Sequence, residues 1–253
     1  MRLPIDVILM CIRWYAACPL SYRQLEEMMQ ERGVFVDHSS INRWTIRFLP
    51  LLENVFRKHK RPVSGSWRMD ETYIKVKGIW KYLYRAVDKQ GKTVDFLLTA
   101  KRDKAAAMRF FDKAMQTNGV PAKVTMDKSG ANKAAVDEIK ASRGTPIIVR
   151  QVKYLNNNIE QDHRAVKRIT RPMLNFKAFQ AAKCALAGIE LMHMIRKGQL
   201  MLKAGSEMSF ADQFTRWQDK SVLSERLAFV PVRSTFISRQ RDRALIVTTN
   251  VRM

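Results

Sequence analysis

Cysteine is scarce in this chain: Cys11, Cys18 and Cys184 are odd in number, form no CxxC pair and lie in apolar surroundings. Thiols of that kind suit packing in a reducing compartment, and they argue against both a disulfide framework and a cysteine-held zinc site. Long hydrophobic runs are missing too. The apolar stretch VILMCI is bracketed by Asp6 and Arg13 and is too short for a signal-peptide core, although Tyr15-Ala16-Ala17-Cys18 faintly resembles a lipoprotein cleavage site. Nothing approaches the roughly 18 apolar residues that span a bilayer, so a cytoplasmic protein without a membrane partner is expected. There is no Gly-rich phosphate loop of the Walker type, which argues against a nucleotide cofactor. The four histidines, His38, His59, His163 and His193, have no metal-ligand spacing, and His193 within LAGIELMHMI reads as a packed helix residue. No Ser or Cys has an evident base partner for covalent catalysis.

Acid is the last shortage. The chain carries 46 Lys and Arg against 23 Asp and Glu, a formal charge of +23, and residues 65–200 alone hold 27 basic against 12 acidic groups. That balance favours a polyanionic partner, nucleic acid first, over a small neutral substrate. With 253 residues, 46% of them hydrophobic, the chain is long enough for one large core, or a medium core with a small appended module.

Apolar spacing predicts a helix over residues 5–17 and a second over LSYRQLEEMMQERG, where Ser21 and Gln24 form a capping box and Gly33 ends the helix. A third begins in VFVDHSSINRWTIRFLP, capped by Asp37 or Ser39 and broken at Pro50. Two short helices joined by a Gly-containing turn, the second rich in Ser, Asn and Arg, read as a helix-turn-helix. Ser39, Ser40, Asn42, Arg43 and Arg47 would then face the major groove of double-stranded DNA, with Ile41 and Trp44 packed inward. A helical hairpin with a solvated polar face is the competing reading, and the net charge favours DNA. The run RKHKRPVSGS marks a boundary, giving a DNA-binding domain over residues 1–60, a linker over 61–66, a second domain over 67–200 and an extension over 201–253.

Beyond the linker the pattern turns strand-like. WRMDETYIKVKG and IWKYLYRAVD read as a hairpin turning near Gly78, and KTVDFLLTA as a third strand. A helix ending at Gly119, a strand AKVTMD, a helix ANKAAVDEIKAS, a strand TPIIVRQV and a helical region from about 159 to 197, interrupted near Pro172, follow. Three meander strands and then alternation describe an α/β fold, a mixed sheet covered by helices. Trp80, Tyr82 and Tyr84 recur at strand spacing and read as sheet packing in preference to a base-stacking platform.

The first strand carries Asp70 and Glu71 in its middle, where carboxylates are costly to bury. Successive side chains alternate faces, so only one of the two is expected in any shared cluster. Asp70 is assigned to it, and Glu71 to a salt bridge on the opposite face. Asp127 ends the fourth strand, at the edge where sheets deliver functional groups, and Glu160 lies in the first turn of the helix after YLNNN. If the first and fourth strands are neighbours, Asp70, Asp127 and Glu160 converge. Hard oxygen ligands of that kind suit two Mg²⁺ about 4 Å apart in phosphoryl transfer, and the metals would repay the desolvation of Asp70. Lys167, seven residues beyond Glu160, lies on the same helix face roughly 10 Å further on, placed to hold a DNA phosphate. His163, Arg164, Arg168 and Arg171 widen that positive strip.

These motifs carry a resemblance. MDETYIKVKG with YLYRAVD, then MDKSGANKAA, then QVKYLNNNIEQDHRAVKRITRPMLNFK, closely resemble the transposases of bacterial insertion sequences of the IS-six family, also called IS-twenty-six-like. LSYRQLEEMM, VDHSSINRW and ELMHMIRKGQ also fit, so the resemblance runs from the helix-turn-helix through about residue 213. It implies a ribonuclease-H-like, retroviral-integrase-like catalytic domain in which Asp70, Asp127 and Glu160 form the DDE triad and Lys167 matches the basic residue after the glutamate. The implied chemistry is Mg²⁺-dependent cleavage at terminal inverted repeats, with Mn²⁺ as an expected substitute, and joining of the 3′ ends to target DNA to form cointegrates. Joining two ends implies a homodimer or larger assembly. Two departures stand out: MRLPIDV lacks the short basic and aromatic leader that relatives often carry, and the tail from TRWQDK onward looks unrelated, as a frameshifted or read-through segment would.

A DNA-binding regulator using only residues 1–64, and a metal nuclease that cuts without joining, are the other readings. The intact triad argues against the first, and the second shares the site. If DNA is held through several phosphate contacts, affinity should fall by roughly 10³-fold or more between about 50 and 200 mM salt. A nearly flat response in a filter-binding titration would count against the basic strip as a DNA track.

Overall fold

The computed structural model describes residues 3–152, 157–173, 176–201, 209, 211, 213 and 214. Three helices open the chain: α1 (Ile5–Ala17), α2 (Tyr22–Gln30) and α3 (His38–Arg57). The capping box at α2 forms as expected, with Ser21 N–H donating to Gln24 Oε1 at 2.8 Å and Gln24 N–H to Ser21 Oγ at 3.2 Å. Asp37 caps α3 by accepting the Ser40 N–H at 2.9 Å. The expected break at Pro50 does not occur, and α3 continues to Arg57. Proline withholds one N–H from the helix ladder, freeing the carbonyl of residue 46. That carbonyl is taken by the Cys184 thiol at 3.5 Å, while Leu49, Leu52 and Phe56 are buried on either side.

The sheet follows: β1 (Ser66–Val76), β2 (Ile79–Asp88), β3 (Thr93–Thr99), β4 (Lys123–Met126) and β5 (Ile148–Gln151), in spatial order β3-β2-β1-β4-β5. Lys77 and Gly78, with φ of 51° and 78°, form the two-residue turn between β1 and β2, both in the left-handed region whose twist suits a tight hairpin. β1, β2 and β3 are antiparallel, whereas β4 and β5 run parallel to β1 and are reached through the helices α4 (Lys104–Asn118) and α5 (Gly130–Arg143). α6 (Asn157–Thr170) and α7 (Phe179–Arg196) complete the fold, with the interruption near Pro172 where the spacing placed it. A meander extended by parallel crossovers is the ribonuclease-H-like arrangement that the family resemblance implied. The expected C-terminal extension and tail lie mostly outside the described residues, of which Phe214 is buried and stacks on Phe56 at 6.1 Å.

Strand alternation sends Trp67 and Met69 to one face, packed with Tyr84, Phe110 and Phe111 under α4 and α5. Ile74 and Val76 go to the other, where they join α6, α7 and the three N-terminal helices in one continuous cluster. Gly188 allows α7 its close approach, since a Cβ there would stand 2.6 Å from both methyl carbons of the buried Leu49.

The boundary expected at residues 61–66 is therefore not a break in packing. Arg57, at the end of α3, grips the fully buried Asp95 of β3 with two hydrogen bonds of 2.8 and 3.1 Å and also holds Glu53 at 2.7 Å. Lys60 Nζ donates to Val94 O at 2.5 Å, and Arg61 N–H to Gln199 O at 2.7 Å. Arg57→Ala leaves Asp95 short of its principal partner and should cost about 3 kcal/mol of stability. Calorimetry should show a single transition shifted as a whole. Two transitions, only one of them shifted, would show that the helices and the sheet melt independently.

Candidate metal centre and its basic surround

β1 pairs with β4 only from Ser66 to Arg68, opposite Lys123 to Thr125. From Met69 to Ile74 no described strand lies on the β4 side of β1, and beyond it Phe176 bridges Val76 on that side, donating its N–H to Lys75 O at 3.2 Å and accepting the Lys77 N–H at 2.8 Å. Asp70 lies on the α6 face, with its Oδ2 3.7 Å from His163 Nδ1, and Glu71 lies on the α5 face, accepting from Asn132 Nδ2 at 2.9 Å. Asp127 follows directly on β4, its Oδ1 accepting the Ser129 N–H at 3.1 Å. Despite the alternation, one carboxylate oxygen from each of Asp70, Glu71 and Asp127 lies within 4.8 Å of the others. This corrects the expectation that the opposite face removes Glu71 from the cluster. Among the described residues no strand lies beside β1 at this level, so both side chains can turn toward that edge. The salt bridge foreseen for Glu71 does form, but its cation, Arg102, spans Glu71 and Asp127 at 3.3 Å each and belongs to the same group.

Among the described residues this is the one group of three or more potential metal ligands. Glu160 stands outside it, exposed in the first turn of α6, although its charge is felt at Asp70. Burial pushes the Asp70 carboxyl up to about 7, opposed by a backbone hydrogen bond and reinforced by Glu71, Asp127 and Glu160. Glu71 is also raised, by burial, against the pull of Asn132 and Arg102. Three crowded, partly desolvated hard oxygens that repel one another fit a divalent cation, which removes the repulsion.

What sets α6 beside these carboxylates is a charge network that the sequence reading missed. Arg85 of β2 is paired in register with Asp70 and is fully buried. Its guanidinium binds Glu190 of α7 at 2.5 and 2.9 Å and Asp162 of α6 at 2.6 Å. Lys197 reaches Asp162 at 2.5 Å, so two cations answer two carboxylates, and His193 lies 3.6 Å from Asp162. Asp162 is two residues from Glu160, so the pair that anchors α6 also fixes where Glu160 sits. Nothing in the spacing of these residues announces the network, because β2, α6 and α7 meet only through the fold.

Other expected residues divide. Arg164 and Arg168 are exposed along α6 and Arg171 just past its end, and Lys167 is half-buried. His163 leaves the positive strip: it is buried, and burial with the charges of Arg85 and Lys167 pushes it down to about 3, so its imidazole is neutral. On α3, Ser39, Arg43 and Arg47 are exposed, Asn42 is half-buried, and Ile41 and Trp44 pack inward as expected. Ser40 is a correction. It is 3% exposed, its hydroxyl donating to Asp37 Oδ2 at 2.7 Å and accepting from Arg43 Nη2 at 2.8 Å, so it is tied to the Asp37 cap and does not face a groove. Among the aromatics, Tyr84 is core, whereas Trp80 is 57% exposed, contrary to the packing role foreseen for it.

A mixed sheet that gathers acids at an open strand edge, beside a helix lined with arginines, defines a metal-dependent enzyme of phosphodiester chemistry. The DDE domain family of IS240-type transposases matches residues 64–199. The transposase for insertion sequence-like element IS431mec of Staphylococcus aureus is 41% identical over 194 residues, covering 76% of this chain and 85% of the relative. The transposase for insertion sequence element IS257 in transposon Tn4003, also of Staphylococcus aureus, is 40% identical over the same shares. The HTLV-2 integrase catalytic core domain in complex with magnesium aligns over 60% of this chain and 97% of its own, with 16% identity and a TM-score of 0.43. The chain belongs to the IS-six family of DDE transposases.

The crowding of the carboxylates has a measurable consequence. A carboxyl raised in the folded state contributes its full stability below its unfolded value, near pH 4, and loses it as pH rises through about 7. In EDTA at about pH 8, Asp70→Asn should therefore be more stable than wild type, by roughly 2–4 kcal/mol, with the two converging toward pH 4. Added Mg²⁺ or Mn²⁺ should stabilise wild type and leave the variant nearly unmoved. Equal melting temperatures in EDTA would count against the raised Asp70 carboxyl, and an equal metal response against Asp70 as a ligand.

Proposed function

We propose that this transposase binds the terminal inverted repeats of its own insertion sequence, cleaves DNA at those ends and joins the freed 3′ ends to target DNA, generating cointegrates. The observation that carries the reading is the convergence of Asp70 and Asp127 at the open edge of β1, with Glu160 on the adjoining helix. Asp70, Asp127 and Glu160 would hold the metal, Mg²⁺ with Mn²⁺ as a substitute. Divalent ions bound there supply activation of an attacking oxygen and stabilisation of a departing one. The resulting chemistry is a water attack that leaves a 3′-hydroxyl at the element end, followed by attack of that oxygen on a target phosphodiester with expulsion of a target 3′-hydroxyl. Neither step needs a covalent bond to the protein.

The remaining residues bind and orient. Lys167 holds a phosphate beside the carboxylates, and Arg164, Arg168 and Arg171 continue the track along α6. Ser39, Asn42, Arg43 and Arg47 at the start of α3 contact the repeat. Joining two element ends calls for a homodimer or larger assembly on DNA, in the cytoplasm and at the nucleoid. No helix among the described residues is long and apolar enough to cross a membrane. A second assignment of the third ligand is favoured by the geometry itself, since Glu71 lies in the close group and Glu160 outside it.

Strand transfer of a labelled duplex bearing the element's terminal repeat into plasmid DNA, with Mg²⁺ or EDTA, tests the reading. Metal-dependent joined product is expected from wild type and none from Asp127→Asn. Glu160→Gln should abolish joining, and Glu71→Gln should leave a measurable fraction. The reverse order would make Glu71 the third ligand. Repeat binding with no cleavage or joining in wild type would point to a regulator, and cleavage without joining to a nuclease.

A further inference from the structure

Between the β1–β2 hairpin and the end of α6, on the hairpin side of the carboxylates, lies a groove of about 650 Å³, closed at one end by Phe176 where it bridges Val76. Its floor is aromatic: Tyr73 and Tyr82 face one another across the strands with ring centroids 5.5 Å apart, and Trp80 meets Tyr73 edge-on at 6.4 Å. Its rim is basic, formed by Lys75, whose Nζ stands 5.6 Å from the Trp80 ring centroid, together with Lys167 and Arg171 from the end of α6. None of its described lining residues is acidic. Tyr73 is 48% and Trp80 57% exposed, a large apolar area for a folded protein to leave in water at adjacent positions.

Aromatic faces rimmed by cations suit a ligand that has both π-faces and negative charge. In duplex DNA the base faces are hidden inside the stack, so such a floor can be used only by bases that have left it. A second copy of the chain would bring a like charge, +23, to a basic rim. Tyr73 lies three residues beyond Asp70, roughly 10 Å along the strand, so a strand in the groove is within a few nucleotides of the carboxylates.

We propose that this groove binds single-stranded DNA, stacking an unpaired base on Trp80 and Tyr73 while Lys75, Lys167 and Arg171 hold the flanking phosphates. The inference rests on DNA being the substrate. It adds a subsite that takes the unpaired end next to the reacting phosphodiester.

Binding in EDTA separates this proposal from strand-transfer activity. The full chain is titrated, by fluorescence anisotropy, into labelled oligothymidylate of about 16 nucleotides, long enough for the usual single-strand site sizes, an abasic strand of the same length, and a duplex. Wild type should bind oligothymidylate more tightly than the abasic strand. Trp80→Ala should weaken the oligothymidylate about tenfold, within the range of one lost stack, with Tyr73→Ala acting in the same direction. Trp80→Phe should retain most of the affinity, and duplex and abasic binding should change less than the oligothymidylate for every variant. Equal wild-type affinity for the abasic strand and oligothymidylate overturns the proposal without recourse to any variant. So does a loss in Trp80→Ala that is the same for all three ligands. Loss of base-dependent binding with intact repeat binding and cleavage would confirm the subsite, whereas failure of all DNA binding would remove the reading on which it stands.

Discussion

A guanidinium with no access to water sits at the centre of this protein. Arg85 is fully buried, and its desolvation is tolerable because Glu190 and Asp162 lie against it at 2.5 to 2.9 Å. Buried ion pairs add little net stability compared with apolar packing, but breaking one is costly, so they act as constraints on register more than as glue. Here the constraint is positional. β2, α6 and α7 are held at one point, directly opposite Asp70 in the sheet, and the helix that carries Glu160 and Lys167 has its place set by Asp162.

The second constraint is the brevity of β4. A strand of four residues stops before it covers Asp70 and Glu71, leaving the middle strand of the sheet without a described partner on that edge from Met69 to Ile74. Sheet edges are ordinarily blunted or covered. In this fold that stretch holds the acids, and the Phe176 bridge beyond it helps line the aromatic and basic groove, so the candidate metal centre and the groove lie side by side along one strand. The overall charge balance points the same way: a cluster of acids within a strongly basic half of the chain draws in a polyanion and a cation together.

The N-terminal helices are part of this economy. Arg57 and Lys60 plant the end of α3 on β3, and the core beneath α1 and α3 is continuous with the core beneath α7. α3 is thereby mechanically continuous with the sheet that carries the acids. The basic run that looked like a linker is a hydrogen-bonded crossing.

Much of this was legible before any coordinates. Capping residues marked α2 and α3, Gly78 marked the hairpin turn, and hydrophobic periodicity separated meander from alternation, because these are local properties of the chain. The positions of Asp70, Asp127 and Glu160 on their elements were legible for the same reason. What escaped was what depends on neighbours. Pro50 does not end its helix: Leu49, Leu52 and Phe56 around it are buried in the core, and a thiol from α7 lies on the freed carbonyl. Ser40 is consumed by a cap, and His163 is neutral because it is buried, with Arg85 and Lys167 close by. Glu71 joins the acids because β4 ends early. Sequence by itself determined the order of elements, the charge of the surface and the kinds of ligand on offer. The tertiary structure alone decided which carboxylates meet, since burial and strand length, and not spacing along the chain, govern how close two like charges are made to stand.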